Sequence, residues 1–199
     1  MNFKQNFDSR YKQGGALFGD EPMPLVVKAT EILLKQSNDD KAGQKPSGVE
    51  HLSALDLGVG DGRNALYLLK QGISVTGVDM STEALKVLSQ KATEYKDRLT
   101  LVESDVTKFE FTTQYDMILG LGLLHFLEYD QITKLIKQVQ AHTKQSGLNV
   151  FAAKMTQNPR GSLPYVFKSG VLKSFYETDG WEILHYTETQ RADIIARKL

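Results

Sequence analysis

The chain has 199 residues, 41% hydrophobic and 24% charged, which suits one globular domain with a full core and excludes wholesale disorder. Lys+Arg and Asp+Glu both number 24, so there is no basic excess to hold nucleic acid, and with no cysteine there are no disulfides, thiolate metal sites or cysteine nucleophiles. No apolar run reaches membrane-spanning length and MNFKQNFDSR has no apolar signal region, so a cytoplasmic monomer or homodimer without membrane partner or metal is expected.

Taken in order, Phe3, Phe7 and Tyr11 are spaced four apart and share one face of a short helix, with Gly14, Gly15 and Gly19 as a hinge behind it. Residues 1–21 are therefore either a lid over a bound ligand or a terminus tethered by its aromatics. Pro22 and Pro24 open a helix whose apolar positions are Leu25, Val26, Ala29, Ile32 and Leu33. Residues 37–50, SNDDKAGQKPSGVE, contain almost nothing apolar and read as a flexible loop inside the domain.

The next stretch, HLSALDLGVGDGRN, organises the chain. Leu52, Ala54, Leu55 and Leu57 make a short apolar run, as in a strand buried on both faces of a parallel sheet. Gly58, Gly60 and Gly62 follow, then Ala65, Leu66, Leu68 and Leu69 at helical spacing up to Gly72. Strand, glycine turn and helix together let a ligand approach the backbone, with the first N–H groups of the helix facing it. A dinucleotide fingerprint would place its third glycine where Arg63 stands, and a dianionic pyrophosphate gains nothing from Asp56.

Residues 73–79 form a second buried strand ending in Asp79, about 20 residues past the turn, where an acidic side chain accepts hydrogen bonds from ribose hydroxyls. Met80 follows it. Ser81 caps a helix over 82–94 with Ala84, Leu85, Val87, Leu88 and Ala92 inward. A third strand, 99–103, leads to Asp105 and Val106; a fourth, 115–121, ends at Leu121 and is followed by Leu123, Leu124, His125 and Phe126. In a sheet of this kind ligands bind beyond the carboxyl ends of the strands, so these residues wall a pocket. A helix over 131–144 and a strand over 148–153 come next, then a helical stretch at 170–176 and strands at 181–186 and 192–196. The expected fold is α/β and Rossmann-like: a mostly parallel seven-stranded sheet, helices on both faces, and an antiparallel C-terminal strand.

The pattern Asp-x-Gly-x-Gly-x-Gly at Asp56 to Gly62 resembles motif I of the class I S-adenosylmethionine (SAM) methyltransferases. That resemblance implies that Asp56 helps hold the amino-acid end of SAM and Asp105 contacts the adenine amino group, with Gly58, Gly60, Gly62, Arg63, Asn64, Asp79, Met80, Val106 and Leu121 also binding the cofactor. Asp105 reads equally as a simple capping aspartate. DLGVGDGRNALYL, QYDMILGLGLLHFLE, LNVFAAKMT and LPYVFKSGVLKSFYETDGWEILHYTE together are similar to the TehB-like tellurite-resistance methyltransferases. Where that family often has cysteine, Val59 stands here. Its longer Arg- and His-bearing segment between the last two strands is reduced to Thr187, Glu188, Thr189, Gln190 and Arg191.

Methyl transfer is an in-line displacement in which the protein chiefly aligns two reactants. A soft acceptor such as a thiol, selenium or tellurium species needs little base, whereas an oxygen or nitrogen acceptor uses one. His125 is the candidate base or else a packed wall residue; Arg191, with Arg160 and Lys168, offers positive charge to an anionic acceptor or is a solvated surface cation. Tyr11, Phe18, Phe126, Tyr165 and Phe167 are lid or core aromatics. His51, His142 and His185 do not form a metal-binding set. The reading is a methyltransferase yielding S-adenosylhomocysteine, acting on a small soft or anionic acceptor. The alternatives are an oxygen or nitrogen acceptor, a nicotinamide-dependent oxidoreductase, and a non-catalytic SAM-binding module.

Overall fold

The structure is a computed structural model and describes residues 3–13, 17–39, 51–156 and 163–199. The chain divides into two compact units, Met1–Phe109 and Glu110–Leu199. The first holds α1 (Phe3–Lys12), α2 (Pro24–Asp39), β1 (Ser53–Leu57), α3 (Arg63–Lys70), β2 (Ser74–Asp79), α4 (Thr82–Lys91) and β3 (Leu99–Glu103). The second holds β4 (Tyr115–Leu121), α5 (Tyr129–Ala141), β5 (Thr143–Lys154), α6 (Val171–Ser174), β6 (Trp181–Glu188) and β7 (Arg191–Lys198). The strands form one seven-stranded sheet in the order β3-β2-β1-β4-β5-β7-β6. The pairs β1–β2, β2–β3 and β4–β5 are parallel, and β7 runs antiparallel to both neighbours. The last strand of the chain thus lies between β5 and β6, as the expected antiparallel C-terminal strand.

Burial explains the strand patterns. In β1, Ala54, Leu55 and Leu57 are sealed, and in β4, Met117, Ile118 and Leu119 are. Such strands are covered on both faces and therefore read as apolar runs rather than alternations. On α4 the residues Ala84, Leu85 and Leu88 are buried and Ser81 caps the helix by accepting from the Ala84 N–H at 3.2 Å.

Several boundaries differ from the sequence reading. α2 continues to Asp39, three residues into the stretch expected as loop; residues 40–50, like Gly14, Gly15 and Arg160, lie outside the described residues. α4 stops at Lys91 and the chain continues through a 3-10 turn, Thr93–Arg98, so the helix does not reach 94. α5 begins two residues early because Glu128 and Gln131 form a reciprocal capping box, and it ends at Ala141. Of the expected 142–144 extension, His142 caps the helix and Thr143 and Lys144 start β5. Buried Thr143 pairs with Tyr115, and the strand bends where Ser146 takes φ 61°. A Cβ on Gly147 would lie 2.8 Å from the Lys144 carbonyl oxygen, so only glycine lets the bent chain rejoin the sheet. The helical stretch at 170–176 shrinks to α6.

Candidate active site

In the first unit the site is built at the carboxyl ends of β1, β2 and β3. Gly58, Gly60 and Gly62 all take left-handed backbone, with φ 74°, 58° and 89°. The turn is locked to β2 because the N–H groups of Gly58 and Val59 donate to the Val78 carbonyl at 2.8 and 3.0 Å. Gly62, the N-cap of α3, leaves no room for a side chain: a Cβ there would be 2.2 Å from Leu88 Cδ1.

Asp56 lies beneath this turn, 2% exposed, and its Oδ2 is buried without a hydrogen-bond partner. Burial first, and the neighbouring charge of Asp79 second, push its carboxyl up to about 7, with Arg63 acting in the opposite direction. Asp79 accepts from the Gly60 N–H at 2.8 Å and the Ser81 N–H at 2.9 Å. Burial raises its carboxyl too, while those two N–H groups draw it back. An unpaired buried carboxylate beside a second carboxylate is a costly arrangement that a cation relieves.

α1 docks against this region. Lys4 Nζ donates to the Met80 carbonyl at 2.8 Å and to Glu103 at 2.5 Å; Asp8 accepts from the Ser81 hydroxyl at 2.6 Å. Tyr11 is the buried member of the aromatic face, whereas Phe3 is exposed. Its hydroxyl lies 2.8 Å from where a Cβ on Gly60 would stand. Burial, with Asp79 and Asp61 beyond it, raises the Tyr11 hydroxyl far above its ordinary value, so it stays protonated.

Arg63 and Asn64 point to the N-terminal segment. Arg63 Nη1 donates to the Phe18 carbonyl at 2.7 Å and lies over the exposed Phe18 ring; Asn64 Oδ1 accepts from the Met23 N–H at 3.0 Å. Asp61, buried, pairs with Lys91 at 3.3 Å, a contact with no signature in the sequence. Asp105 accepts from both the N–H and the hydroxyl of Thr107, at 2.9 and 2.8 Å, through one carboxyl oxygen; Val106 is buried.

In the second unit, Leu121 ends β4 half-buried and His125 follows in the 3-10 turn Leu124–Phe126. His125 is 4% exposed, its Nδ1 is buried without a partner, and its ring stacks on Phe126 at 4.4 Å. Burial, then the positive charge of Lys154, lowers it to about 4, so the ring is neutral at physiological pH. Arg191 is held in a bidentate pair with Asp193, at 2.7 and 2.9 Å, which offsets the charge expected for an anion. The i, i+2 spacing on one strand carries that signal in hindsight. Phe167 is buried; Tyr165 is half-buried; Lys168 is exposed. Among the described residues no group of three or more His, Asp or Glu can hold a metal, and no helix is long and apolar enough to cross a membrane.

The profile of the family described as "Tellurite resistance protein TehB" matches residues 44–193. A protein from Haemophilus influenzae (strain 10810) described as a probable S-adenosyl-L-methionine-dependent methyltransferase TehB is 33% identical over 139 residues, 67% of this chain and 47% of the relative. The chain thus spans about half the length of the sequence relatives it matches. The crystal structure of TehB from Haemophilus influenzae superposes with a TM-score of 0.73 at 25% identity, covering 98% of this chain and 67% of that one. Magnesium protoporphyrin IX methyltransferase from Synechocystis PCC 6803, solved with bound SAM, shares the fold at TM-score 0.68 and 18% identity over 98% of this chain and 95% of that one.

Proposed function

Because the chain belongs to the TehB family of SAM-dependent methyltransferases, we propose that it transfers the methyl group of SAM to a small-molecule acceptor. The observation that carries this is Asp56, with a partnerless buried oxygen beneath three left-handed glycines. The residues present fit SAM. Asp56 would take its ammonium group, and the left-handed glycines would let the amino-acid end approach the turn, whose Gly58, Val59, Gly60 and Gly62 N–H groups are already bonded to Val78, Asp79 and Val59. Asp79 keeps acceptor capacity beyond its N–H partners for ribose hydroxyls, with Met80, Asp105 and Val106 toward the base. When bound, SAM supplies an activated methyl on a sulfonium, with a neutral thioether as leaving group.

The chain's own residues bind, orient and exclude water. Arg63 and Asn64 anchor segment 17–23, and Lys4 and Asp8 fasten α1 to the ends of β2 and β3, so that residues 1–21 act as a lid. The acceptor is a soft thiol, selenium or tellurium species. A neutral His125 with a value of about 4 accepts a hydrogen bond but is a weak base at neutral pH, which favours an acceptor that needs none. Calorimetry with SAM and with NAD tests the cofactor, and S-adenosylhomocysteine released with a panel of acceptors tests the transfer. Binding of NAD in place of SAM makes the protein an oxidoreductase; binding of SAM without turnover on any acceptor makes it a binding module.

A further inference from the structure

The second unit carries an open ring of aromatic side chains, with His125 and Lys154, at the carboxyl ends of β4 and β5. His125 and Phe126 stack at 4.4 Å, and α5 starts three residues later at Tyr129. The Tyr129 ring meets Tyr165 at 5.2 Å, and Tyr165 meets Phe167 edge-on at 5.0 Å. The Phe167 N–H donates to the Lys154 carbonyl at 3.1 Å. Lys154, the last residue of β5, is exposed, and its positive charge acts on His125. Tyr129 is 45% exposed although aromatic and Tyr165 is half-buried, so both residues keep surface accessible to solvent.

Charge decides what this surface fits. Among the described residues of the ring, Lys154 is the one cation, and nearby Arg191, its partner in the β5–β7 register, is neutralised by Asp193. An inorganic oxyanion of two charges finds no built cation site here. A planar apolar body carrying a single soft negative charge matches both the aromatic faces and the lone ammonium.

Building on the functional reading above, we infer that the ring of His125, Phe126, Tyr129, Lys154, Tyr165 and Phe167 binds the acceptor, and that the acceptor is an aromatic thiol. Such a thiol ionises near neutral pH, so its proton is in solvent before transfer. The thiolate sulfur then bonds to the methyl carbon as the carbon–sulfonium bond breaks, and the electron pair of that bond stays on the sulfur that leaves. His125 Nδ1 is a buried hydrogen-bonding atom without a partner beside this surface.

The test uses the full chain with SAM, thiophenol and sodium tellurite, reading S-adenosylhomocysteine formed. Thiophenol is turned over, and Tyr129→Ala and Tyr165→Ala each raise its KM about tenfold or more while kcat stays within about twofold. Tyr165→Phe restores the KM, because the ring face and not the hydroxyl binds. SAM affinity by calorimetry is unchanged in all three variants, which reports that they are folded. Turnover of tellurite but not thiophenol overturns the inference, and so does a KM for thiophenol that the alanine variants leave unaltered. Absence of thiophenol binding by saturation-transfer NMR to protein loaded with S-adenosylhomocysteine, together with no turnover, also overturns it. Failure of the wild-type chain to bind SAM fails the underlying reading instead, and calorimetry separates the two.

Discussion

The glycine turn of the first unit and the aromatic ring of the second are built in opposite ways. The turn is contiguous: Asp56 to Asn64 supply a backbone that only glycine adopts, set over a carboxylate sealed from water. The ring is assembled from Phe126, Tyr129, Lys154, Tyr165 and Phe167, spread over some forty residues, with tilted and edge-on aromatic contacts and one backbone hydrogen bond among them. Backbone-built sites tolerate almost no change, because a Cβ has nowhere to go. Side-chain-built sites lose affinity by degrees. A carboxylate buried without a partner also shows stability held back for a ligand, whereas exposed aromatics hold back little.

The largest effect that separates the two regions is steric. Gly62→Ala puts a Cβ 2.2 Å from Leu88 Cδ1 on a backbone with φ 89°. It is expected to destabilise the first unit by about 3 kcal/mol or more, read as a lower urea midpoint. A midpoint unchanged from wild type breaks the claim that the turn is sterically closed.

Next comes charge. Asp56→Asn should weaken SAM by roughly 2–3 kcal/mol, since a charge-assisted hydrogen bond is lost. The same variant should stabilise the ligand-free protein, because a partnerless buried carboxylate is removed. The sign follows from the raised folded value. Between 3.8 and about 7 the folded chain holds a proton the unfolded chain has released, so the penalty grows with pH and is complete above about 7. The gain in urea resistance should therefore be full at pH 8 and fade toward pH 4. A variant that loses SAM and stability together would make Asp56 a structural residue.

The pH dependence of SAM affinity sharpens the same point. Ammonium binding needs ionised Asp56, so affinity should rise about tenfold per pH unit up to about 7 and level off above. The Asp56→Asn profile should be flat. A wild-type profile flat from pH 5 to 8 would locate the ammonium contact elsewhere.

The smallest effect is the matched control in the second unit. Gly170 also has positive φ, 78°, but nothing lies within 4 Å of a Cβ placed there. Gly170→Ala should cost only about 1 kcal/mol of left-handed strain and leave SAM affinity intact. A loss as large as that at Gly62 would mean that strain, and not crowding, dominates at both turns.

The sequence by itself determined the order of strands and helices, the glycine turn with Asp56 and Asp79 at its edges, and the apolar faces of α2, α4 and α5. These are local: periodicity of 2 or 3.6, left-handed glycines and caps are written in neighbouring residues. The capping box from Glu128 to Gln131 is also local, yet the expected start of this helix at Gln131 passes over it. The tertiary structure alone decided that β7 inserts between β5 and β6, because strand order depends on which edges meet and not on any strand's own pattern. It alone decided that Tyr11 lies against Gly60, that Asp8 meets Ser81 across 73 positions, and that Arg191 gives its charge to Asp193. Whether a charged or aromatic side chain is spent on a neighbour or kept for a ligand is set by contacts between distant segments, and burial then fixes how much that contact is worth.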